Sequence, residues 1–375
     1  MKIVVAPDSF KGSCSAIEVA NSIEKAILDV DNTIEVVKIP VADGGEGTID
    51  AIMSCASGTI YEVEVLDPMC KNVTAKYAVI DNGKTAVIEM AQASGLPMVL
   101  PEDRNPLLAT TYGTGQLMKD ALDKGVKKMI IGIGGSATND GGAGVLMALG
   151  AKFKDSESKE LVLGGAALAE LHEIDLAGFD SRILDVEITV ACDVTNPLTG
   201  ENGASYIYGP QKGATPEMVM QLDDALTNFA YVSKKKLGED YSTYPGTGAA
   251  GGLGFALIAY CKAQFAAGID IVLDVTGFER ELETADLVIT GEGRIDGQSV
   301  QGKVLSGIGT RAKKKGIPVI AIGGAVRSDS DALLSHGITA MFSIANGPMT
   351  LDYAMGNGCS LIEQITKNVI RVFQK

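Results

Sequence analysis

Aromatic residues are scarce in this chain of 375 residues, which has no tryptophan, 10 tyrosines and 9 phenylalanines. Hydrophobic residues nevertheless make up 46% of the total, and 45 residues are glycine. A core of Val, Ile, Leu and Ala, with many glycines in the connecting loops, is typical of α/β enzymes. The length is enough for about two such domains.

Histidine is scarcer still, and cysteine shows no spacing that is typical of a metal site. The only histidines are His172 and His336, and the six cysteines include no CxxC pair. This pattern excludes a His-rich zinc site and disfavours Ser–His or Cys–His nucleophilic catalysis. We interpret the cysteines as reduced thiols, which is their usual state in the cytosol.

Excess positive charge and long apolar segments are absent as well. The formal net charge is −15, which argues against nucleic acid or an anionic membrane surface as a partner. No window reaches the roughly 18 consecutive apolar residues of a membrane helix, and the apolar run before Pro7 is too short for a signal peptide. We therefore expect a soluble cytoplasmic protein, and the sequence leaves homo-oligomerisation open.

Strands and helices alternate at both ends of the chain. Near the N-terminus the patterns predict a strand at 2–6, a helix at 16–28 after a capping box at 15–18, a strand at 34–39 and a helix at 48–55. Near the C-terminus they predict strands at 287–290, 318–323 and 339–343 and a last helix at 353–373. Repeated βα units favour a parallel sheet with right-handed crossovers.

The middle of the chain follows a different pattern. Strands predicted at 59–65, 73–80 and 85–90 form a meander, and helices are expected at 106–124, 216–236 and 247–265. The simplest organisation is an α/β fold of two α/β domains. A Rossmann-like parallel-sheet domain is built from both chain ends, residues 1–60 plus 285–375, and a second α/β domain, residues 61–284, is inserted into it.

The stretch LVITGEGRIDGQSVQGK, residues 287–303, gives the strongest functional signal. A short buried strand is expected to lead into a loop with Gly291 and Gly293, whose backbone can approach a ligand closely. That loop carries four charged side chains: Glu292, Arg294, Asp296 and Lys303. Residues 297–304 are one residue short of a phosphate loop, because Val304 stands where Ser or Thr would bind magnesium. The pattern favours phosphate chemistry over a solvated turn.

Two N-terminal loops also carry polar side chains where a predicted strand ends. Asp8 and Lys11 precede a helix N-terminus, which suits an anion, and Asp8 could accept a proton or bind a metal. In the second loop Gly44 and Gly45 separate the carboxylates Asp43 and Glu46, a pair that could hold magnesium or fix substrate hydroxyls. Both loops could instead be plain structural turns.

Two further loops follow predicted strands in the middle of the chain. Residues 132–137 match GxGxxA, the dinucleotide fingerprint, but the sequence Asn-Asp-Gly-Gly at 139–142 interrupts where its helix should start. We therefore favour a phosphate or hydroxyl-acid site at Gly134, Gly135 and Ser136. Asp193 follows the strand predicted at 186–191 and is a candidate general base or metal ligand.

Six motifs together resemble the glycerate kinase type 1 family. They are PDSFKGS at 7–13, VADGGEGT at 41–48, GIGGSATNDGGAG at 132–144, CDVTNPL at 192–198, GAAGGLG at 248–254 and TGEGRIDGQSVQGK at 290–303. The resemblance spans nearly the whole chain in the family's order. It implies two α/β domains with the active site in the cleft between them, and ATP-dependent, magnesium-dependent phosphorylation of D-glycerate. The resemblance implies a 2-kinase, since bacterial members of this type look like 2-kinases, and some relatives are described as 3-kinases.

Under this hypothesis each candidate residue has a role in phosphoryl transfer. The general base is Asp193 or Asp8, and the cations that contact phosphate or carboxylate are Lys11, Arg294 and Lys303. The nucleotide is held by residues of the glycine-rich loops: Gly44, Gly45, Gly134, Gly135, Ser136, Gly291, Glu292 and Gly293. Magnesium is held by carboxylates drawn from Asp43, Glu46, Asp193 and Asp296. A dinucleotide-dependent oxidoreductase and a non-catalytic sugar-acid sensor are the alternatives.

Overall fold

The computed structural model describes residues 1–300 and 304–373. The strands, in chain order, are β1 (Lys2–Val5), β2 (Glu35–Lys38), β3 (Gly58–Leu66), β4 (Asn72–Ile80), β5 (Thr85–Glu89), β6 (Lys128–Gly132), β7 (Lys152–Lys154), β8 (Glu173–Asp175), β9 (Glu187–Ala191), β10 (Gln264–Ala266), β11 (Leu287–Ile295), β12 (Val319–Val326) and β13 (Ala340–Ser343). The helices, in chain order, are α1 (Ala16–Val30), α2 (Thr48–Cys55), α3 (Ala91–Ser94), α4 (Tyr112–Asp123), α5 (Ala143–Ala148), α6 (Ala204–Tyr208), α7 (Pro216–Leu237), α8 (Ala249–Cys261), α9 (Gly268–Thr276), α10 (Phe278–Leu282), α11 (Val304–Lys315), α12 (Ala332–Ser335), α13 (Leu351–Gly356) and α14 (Gly358–Phe373).

The chain divides into two compact units. Unit 1 comprises Met1–Asp43, Asp50–Ala56 and the described part of Ala267–Lys375, and unit 2 comprises Gly44–Ile49 and Ser57–Ala266. The predicted boundary at residues 284/285 differs from this division, because α9 and α10 pack in unit 1. Their side chains join the core beneath α11, and Arg311 of α11 forms ion pairs with Asp270, Asp274 and Glu279.

Unit 1 is built on a parallel sheet whose strands come from both ends of the chain. The strand order is β13-β12-β11-β1-β2, and every neighbouring pair is parallel. Successive side chains of a strand point to opposite faces. In β1, Ile3 and Val5 therefore lie in the core beneath α1 and α14, whereas Val4 lies in the core beneath α9 and α11. This confirms the predicted parallel-sheet α/β fold.

Unit 2 contains a mixed sheet of order β10-β9-β6-β5-β4-β3. The strands from β10 to β5 are parallel, whereas β4 and β3 are antiparallel. This confirms the predicted meander, in which a turn at Asp81–Gly83 places Asn82 at a φ of 56°. Strands β7 and β8 form a separate antiparallel pair. None of the helices in residues 1–300 and 304–373 has the length and apolar character needed to span a bilayer.

Three predicted helices have other bounds in the structure. The helix predicted at 106–124 begins only at Tyr112, because Thr110 and Thr111 bond the buried carboxylate of Asp140. The helix predicted at 247–265 ends at Cys261 and is followed by β10. The last predicted helix is divided into α13 and α14 around Asn357.

Candidate active site

A cavity of about 430 Å³ opens at the carboxyl end of the unit 1 sheet. This is where parallel α/β sheets bind ligands, and the volume suits a small-molecule site. The lining residues come from the loops after β1, β2 and β13, from β11 and β12, and from α11 and α13. They are Asp8, Ser9, Phe10, Lys11, Ser13, Asp43, Glu292, Gly293, Arg294, Val304, Gly324, Ala325, Ile344, Leu351, Ala354 and Met355.

The cavity environment raises the pKa of Asp8. Asp8 stands three residues beyond β1, where its backbone N–H donates to the Gly291 carbonyl at 2.8 Å. Its Oδ1 accepts a hydrogen bond from the Ser9 backbone N–H at 2.6 Å. Burial, and secondly the charge of Asp43, raise the pKa of Asp8 from 3.8 to about 6, against the opposing effects of the Ser9 hydrogen bond and of the charge of Lys11. A half-buried carboxylate with a pKa near neutrality has the properties of a general base.

Lys11 and Asp43, two further predicted site residues, also line the cavity. Their Nζ and Oδ2 atoms are 3.9 Å apart, and the Lys11 side chain is 80% exposed. An ion pair of this length and exposure contributes little to stability. Lys11 therefore keeps the freedom to contact an incoming anion.

Gly291, Glu292 and Gly293 lie in β11, so the prediction that they form a loop is wrong. A Cβ at Gly291 would stand 2.2 Å from the Ile322 carbonyl oxygen, and one at Gly324 would stand 2.4 Å from the Gly293 carbonyl oxygen. The glycines thus let β11 and β12 pair closely, and the pairing continues to Ile295. Because alternate residues of a strand share a face, Glu292 and Arg294 both reach the cavity.

Asp296, a predicted metal ligand, is already engaged in local contacts. Its Oδ2 accepts from Arg294 Nε at 2.9 Å, and its Oδ1 accepts from the Gln298 backbone N–H at 2.9 Å. The hydroxyl of Ser299, three residues further along the chain, donates to Glu292 Oε1. These contacts hold the turn that follows β11. Lys303, the last of the predicted cations, lies outside the described residues.

In unit 2 the structure brings together two of the predicted glycine-rich loops. A Cβ at Gly132 would stand 2.3 Å from the Gly44 carbonyl oxygen, and one at Gly134 would stand 3.0 Å from the Gly45 Cα. Gly135 has a φ of 74°, and its carbonyl accepts from the Leu96 N–H at 2.8 Å. The loops at 44–45 and 132–134 therefore pack backbone to backbone.

Asp140 closes the loop that follows β6 and is fully buried. Its Oδ2 accepts from the Thr111 N–H at 2.8 Å and from the Gly144 N–H at 3.2 Å, and its Oδ1 accepts from the Gly142 N–H at 3.1 Å. Burial raises the pKa of this carboxyl, against those hydrogen bonds. The backbone N–H groups at the N-terminus of α5 thus donate to a carboxylate of the protein itself. In a dinucleotide site the pyrophosphate would take that position, so the geometry disfavours the oxidoreductase.

Lys212 holds the same loop from another side, and sequence reasoning missed it. The side chain is 2% exposed, and its Nζ donates to the Thr138 carbonyl at 2.7 Å. Burial lowers the pKa of Lys212 to about 7, against the charge of Asp140. The available signal was the sequence Gly-Pro-Gln-Lys-Gly at 209–213, a turn with one cation between two glycines.

The motif GAAGGLG also supports this loop. Ala250, Gly251 and Gly252 have positive φ values at the start of α8, and the Gly141 N–H donates to the Gly251 carbonyl at 2.9 Å. A Cβ at Gly251 would stand 1.9 Å from the Thr138 carbonyl oxygen. These glycines have a packing role.

Two of the carboxylates predicted for the site lie in unit 2. Asp193 follows β9 and Glu46 precedes α2, and both side chains are exposed. Glu89, which was not predicted, ends β5, is 3% exposed and accepts from the Ile49 N–H at 2.7 Å. The sequence feature that could have indicated Glu89 is a carboxylate at the end of a predicted strand. In the described ranges, His, Cys, Asp and Glu side chains form no group of three or more that could hold a metal ion.

Comparisons with known proteins agree with one another. The model of the glycerate kinase family matches residues 3–374. The chain is 48% identical to a glycerate kinase of Bacillus subtilis strain 168 over 98% of this chain and 97% of that protein. It is also 48% identical to a glycerate 2-kinase of Escherichia coli K12, with 98% and 97% coverage. A Salmonella typhimurium LT2 protein assigned as glycerate kinase 2 has a crystal structure with a TM-score of 0.90 and 48% identity, covering 100% of this chain and 98% of that one.

Proposed function

The chain belongs to the glycerate kinase family and is an enzyme, and from this premise we propose that it transfers the γ-phosphoryl group of ATP to D-glycerate, giving 2-phospho-D-glycerate. A kinase family implies a nucleotide as phosphate donor. The choice of the 2-hydroxyl is supported by the name of the E. coli relative, a glycerate 2-kinase. Phosphorylation of the 3-hydroxyl is the competing outcome.

The observation that carries this proposal is the position of Asp8. Its carboxylate lies in a cavity at the carboxyl end of a parallel sheet, and its pKa is raised to about 6. At neutral pH most of this group is ionised, yet it is basic enough to take a proton from a substrate hydroxyl. We assign Asp8 as the base that removes this proton while the hydroxyl oxygen bonds to the γ-phosphorus and the bond from that phosphorus to the bridging oxygen breaks, releasing ADP. Asp193 is the alternative base.

Two cations in the same cavity suit anionic substrates. Lys11 and Arg294 both line it, with side chains 80% and 61% exposed. A guanidinium can bind a carboxylate or phosphate through two parallel hydrogen bonds, whereas an ammonium acts as a point charge. We assign Arg294 and Lys11 to the glycerate carboxylate and the transferred phosphoryl group. Both groups are anionic throughout the reaction, so the cations also reduce repulsion between them.

The donor set of the cavity also fits magnesium. Mg²⁺ is usually held by one or two carboxylates together with phosphate oxygens and water, so a cage of three protein ligands is not needed. Asp43 and Glu292 line the cavity and would supply those carboxylates. When bound, the ion would neutralise phosphate charge. The predicted roles of Glu46, Asp193 and Asp296 as ligands, and of Gly44, Gly45, Gly134, Gly135 and Ser136 as the phosphate cradle, stay predictions.

A product analysis tests the proposal. Purified protein is incubated with ATP, Mg²⁺ and D-glycerate, and ADP release is followed against L-glycerate and other hydroxy acids. Proton-coupled ³¹P NMR then identifies the ester, because a 2-phosphate couples to one proton and gives a doublet, whereas a 3-phosphate couples to two and gives a triplet. We expect the doublet. No ADP release with any hydroxy acid would refute the function, and a triplet would refute the regiochemistry.

A further inference from the structure

Two cysteine sulfurs are in contact beside the cavity in unit 1. The Sγ atoms of Cys14 and Cys359 are 3.0 Å apart, although the two residues are 345 positions apart in the chain. Both cysteines are free thiols. A disulfide has an S–S length of about 2.05 Å, so a movement of about 1 Å would join them.

The packing of two helices sets this distance. Cys14 directly precedes Ser15, the N-cap of α1, and Cys359 is the second residue of α14. The same two helices are joined by ion pairs from Lys25 to Glu363 at 2.8 Å and from Lys367 to Asp29 at 2.7 Å. The two sulfur atoms thus lie between helices α1 and α14, which these ion pairs hold together.

The chain is closely packed around Gly358, the residue before Cys359. A Cβ at Gly358 would stand 2.4 Å from Ser13 Oγ and 2.8 Å from Cys14 Sγ. The Ser13 hydroxyl donates to the Met355 carbonyl at 2.6 Å. Ser13 and Met355 both line the cavity. The loop after β1 and the α13–α14 connection are therefore in direct contact at the cavity wall.

We propose that Cys14 and Cys359 are a redox modification site, at which a peroxide forms a reversible disulfide that locks the wall of the cavity. The Cys359 thiolate attacks one oxygen of hydrogen peroxide, an S–O bond forms, and the O–O bond breaks with loss of hydroxide. Cys14 sulfur then attacks Cys359 sulfur, the S–S bond forms, and the S–O bond breaks. The thiols lose two electrons, and both peroxide oxygens leave as water.

The two cysteines differ in a way that suits this order of events. Cys359 is half-buried, whereas Cys14 is only 6% exposed. Burial, and the hydrogen bond with Cys359, raise the pKa of the Cys14 thiol to about 11. Cys14 is therefore protonated at neutral pH and shielded from bulk oxidant, so Cys359 reacts with peroxide first, and Cys14 loses its proton as its sulfur attacks Cys359.

Oxidation in vitro tests the site directly. The folded protein is treated with a small excess of hydrogen peroxide, alkylated, digested without reductant and examined by mass spectrometry. We expect one cross-linked peptide pair that joins Cys14 to Cys359 and disappears with dithiothreitol. Oxidation of the exposed Cys55 or Cys70 without this cross-link would overturn the proposal.

The effect on turnover has its own control and rests on the proposed function. We expect the oxidised protein to lose more than half of its ADP release, and dithiothreitol to restore it. Cys359→Ser should be insensitive to the same treatment, whereas Cys70→Ser should respond like the unmodified protein. A cross-link with unchanged turnover would overturn the locking of the wall. The cross-link itself is scored by mass, so it stands or falls whether or not the protein phosphorylates glycerate.

Discussion

Asp8 and Asp43 line one cavity, and the charge of Asp43 adds to burial in raising the pKa of Asp8 to about 6. Like charges in a partly desolvated site oppose each other's ionisation. A carboxyl group that would titrate near 3.8 is thereby brought close to neutrality, where it can exchange a proton with a substrate hydroxyl. This one relationship yields three predictions about activity and stability.

The first prediction concerns the base itself. Asp8→Asn keeps the shape of the side chain but cannot accept the proton, so we expect kcat to fall by about 10²–10⁴-fold. The measurement is steady-state ADP release with D-glycerate, with circular dichroism to verify the fold. Asp193→Asn is the matched comparison. If Asp8→Asn stayed near normal while Asp193→Asn lost its activity, the base would be Asp193.

The second prediction is a pH profile. Because Asp8 must be ionised to act, kcat/KM should fall about tenfold per pH unit below pH 6. Asp43→Asn removes a charge that raises the pKa of Asp8, and Lys11→Met removes one that lowers it. The two variants should therefore shift that pKa in opposite directions, downward and upward respectively. Carboxyl ¹³C NMR of Asp8 follows this shift even where activity is lost, and equal shifts would contradict the electrostatic account.

The third prediction concerns stability. The pKa of Asp8 is higher in the folded state, about 6, than the ordinary value of 3.8. The folded state thus binds more protons between these values, and its stability falls as pH rises through that window. At 1.36 kcal/mol per unit the loss is at most about 3 kcal/mol. Asp8→Asn should therefore stabilise the protein at pH 8 and not at pH 3.5. Denaturant unfolding at both pH values measures it, and an equal effect at both would contradict it.

The fourth prediction concerns the loop after β6. Gly251→Ala would place a Cβ 1.9 Å from the Thr138 carbonyl oxygen at a φ of +67°, whereas Gly238→Ala has a φ of +81° with nothing within 4 Å. Both changes carry the strain of a positive φ, about 1–2 kcal/mol. Only Gly251→Ala adds the backbone clash, so it should destabilise unit 2 by several kcal/mol more or prevent folding. Thermal unfolding compares the two, and equal losses would show that the contact is relieved easily.

Much of the fold was predictable because its signals are local. The capping box at Ser15 and Glu18 gave the start of α1 at Ala16, as observed. The apolar strands of the unit 1 sheet were located to within a few residues, since a strand buried on both faces is a continuous apolar run. The extension of β11 to Ile295 was not predictable. Its sequence Gly-Glu-Gly-Arg has no apolar pattern, and its close pairing with β12 uses glycines on both strands, with Gly323 opposite Glu292 and Gly324 against the Gly293 carbonyl.

The site was predictable in composition and less so in its contacts. Asp8, Lys11 and Asp43 were predicted to follow strand ends, and in the structure all three line one cavity, while their roles in a site stay predictions. The raised pKa of Asp8 depends on burial and on the charge of Asp43, and Asp8 is held beside β11 by the hydrogen bond from its backbone N–H to the Gly291 carbonyl, far away in sequence. Lys212 was missed for the same reason, since its contact with Thr138 spans 74 positions. Hydropathy and spacing carry no information about such pairs.

The strands of the unit 1 sheet come from both ends of the chain, and this has a consequence for synthesis on the ribosome. Strands β1 and β2 are synthesised first, and β11, the other neighbour of β1, follows much later. The Thr290 hydroxyl, which donates to the Ala6 carbonyl, lies 284 positions further along the chain. Synthesis proceeds at about 5–20 residues per second. The nascent pair of β1 and β2 therefore waits tens of seconds, during which the apolar edge of β1 is unpaired. Unit 2, whose strands lie within one continuous stretch, can complete its own sheet meanwhile. Translation speed and chaperone access should therefore matter most for the segment that carries Asp8.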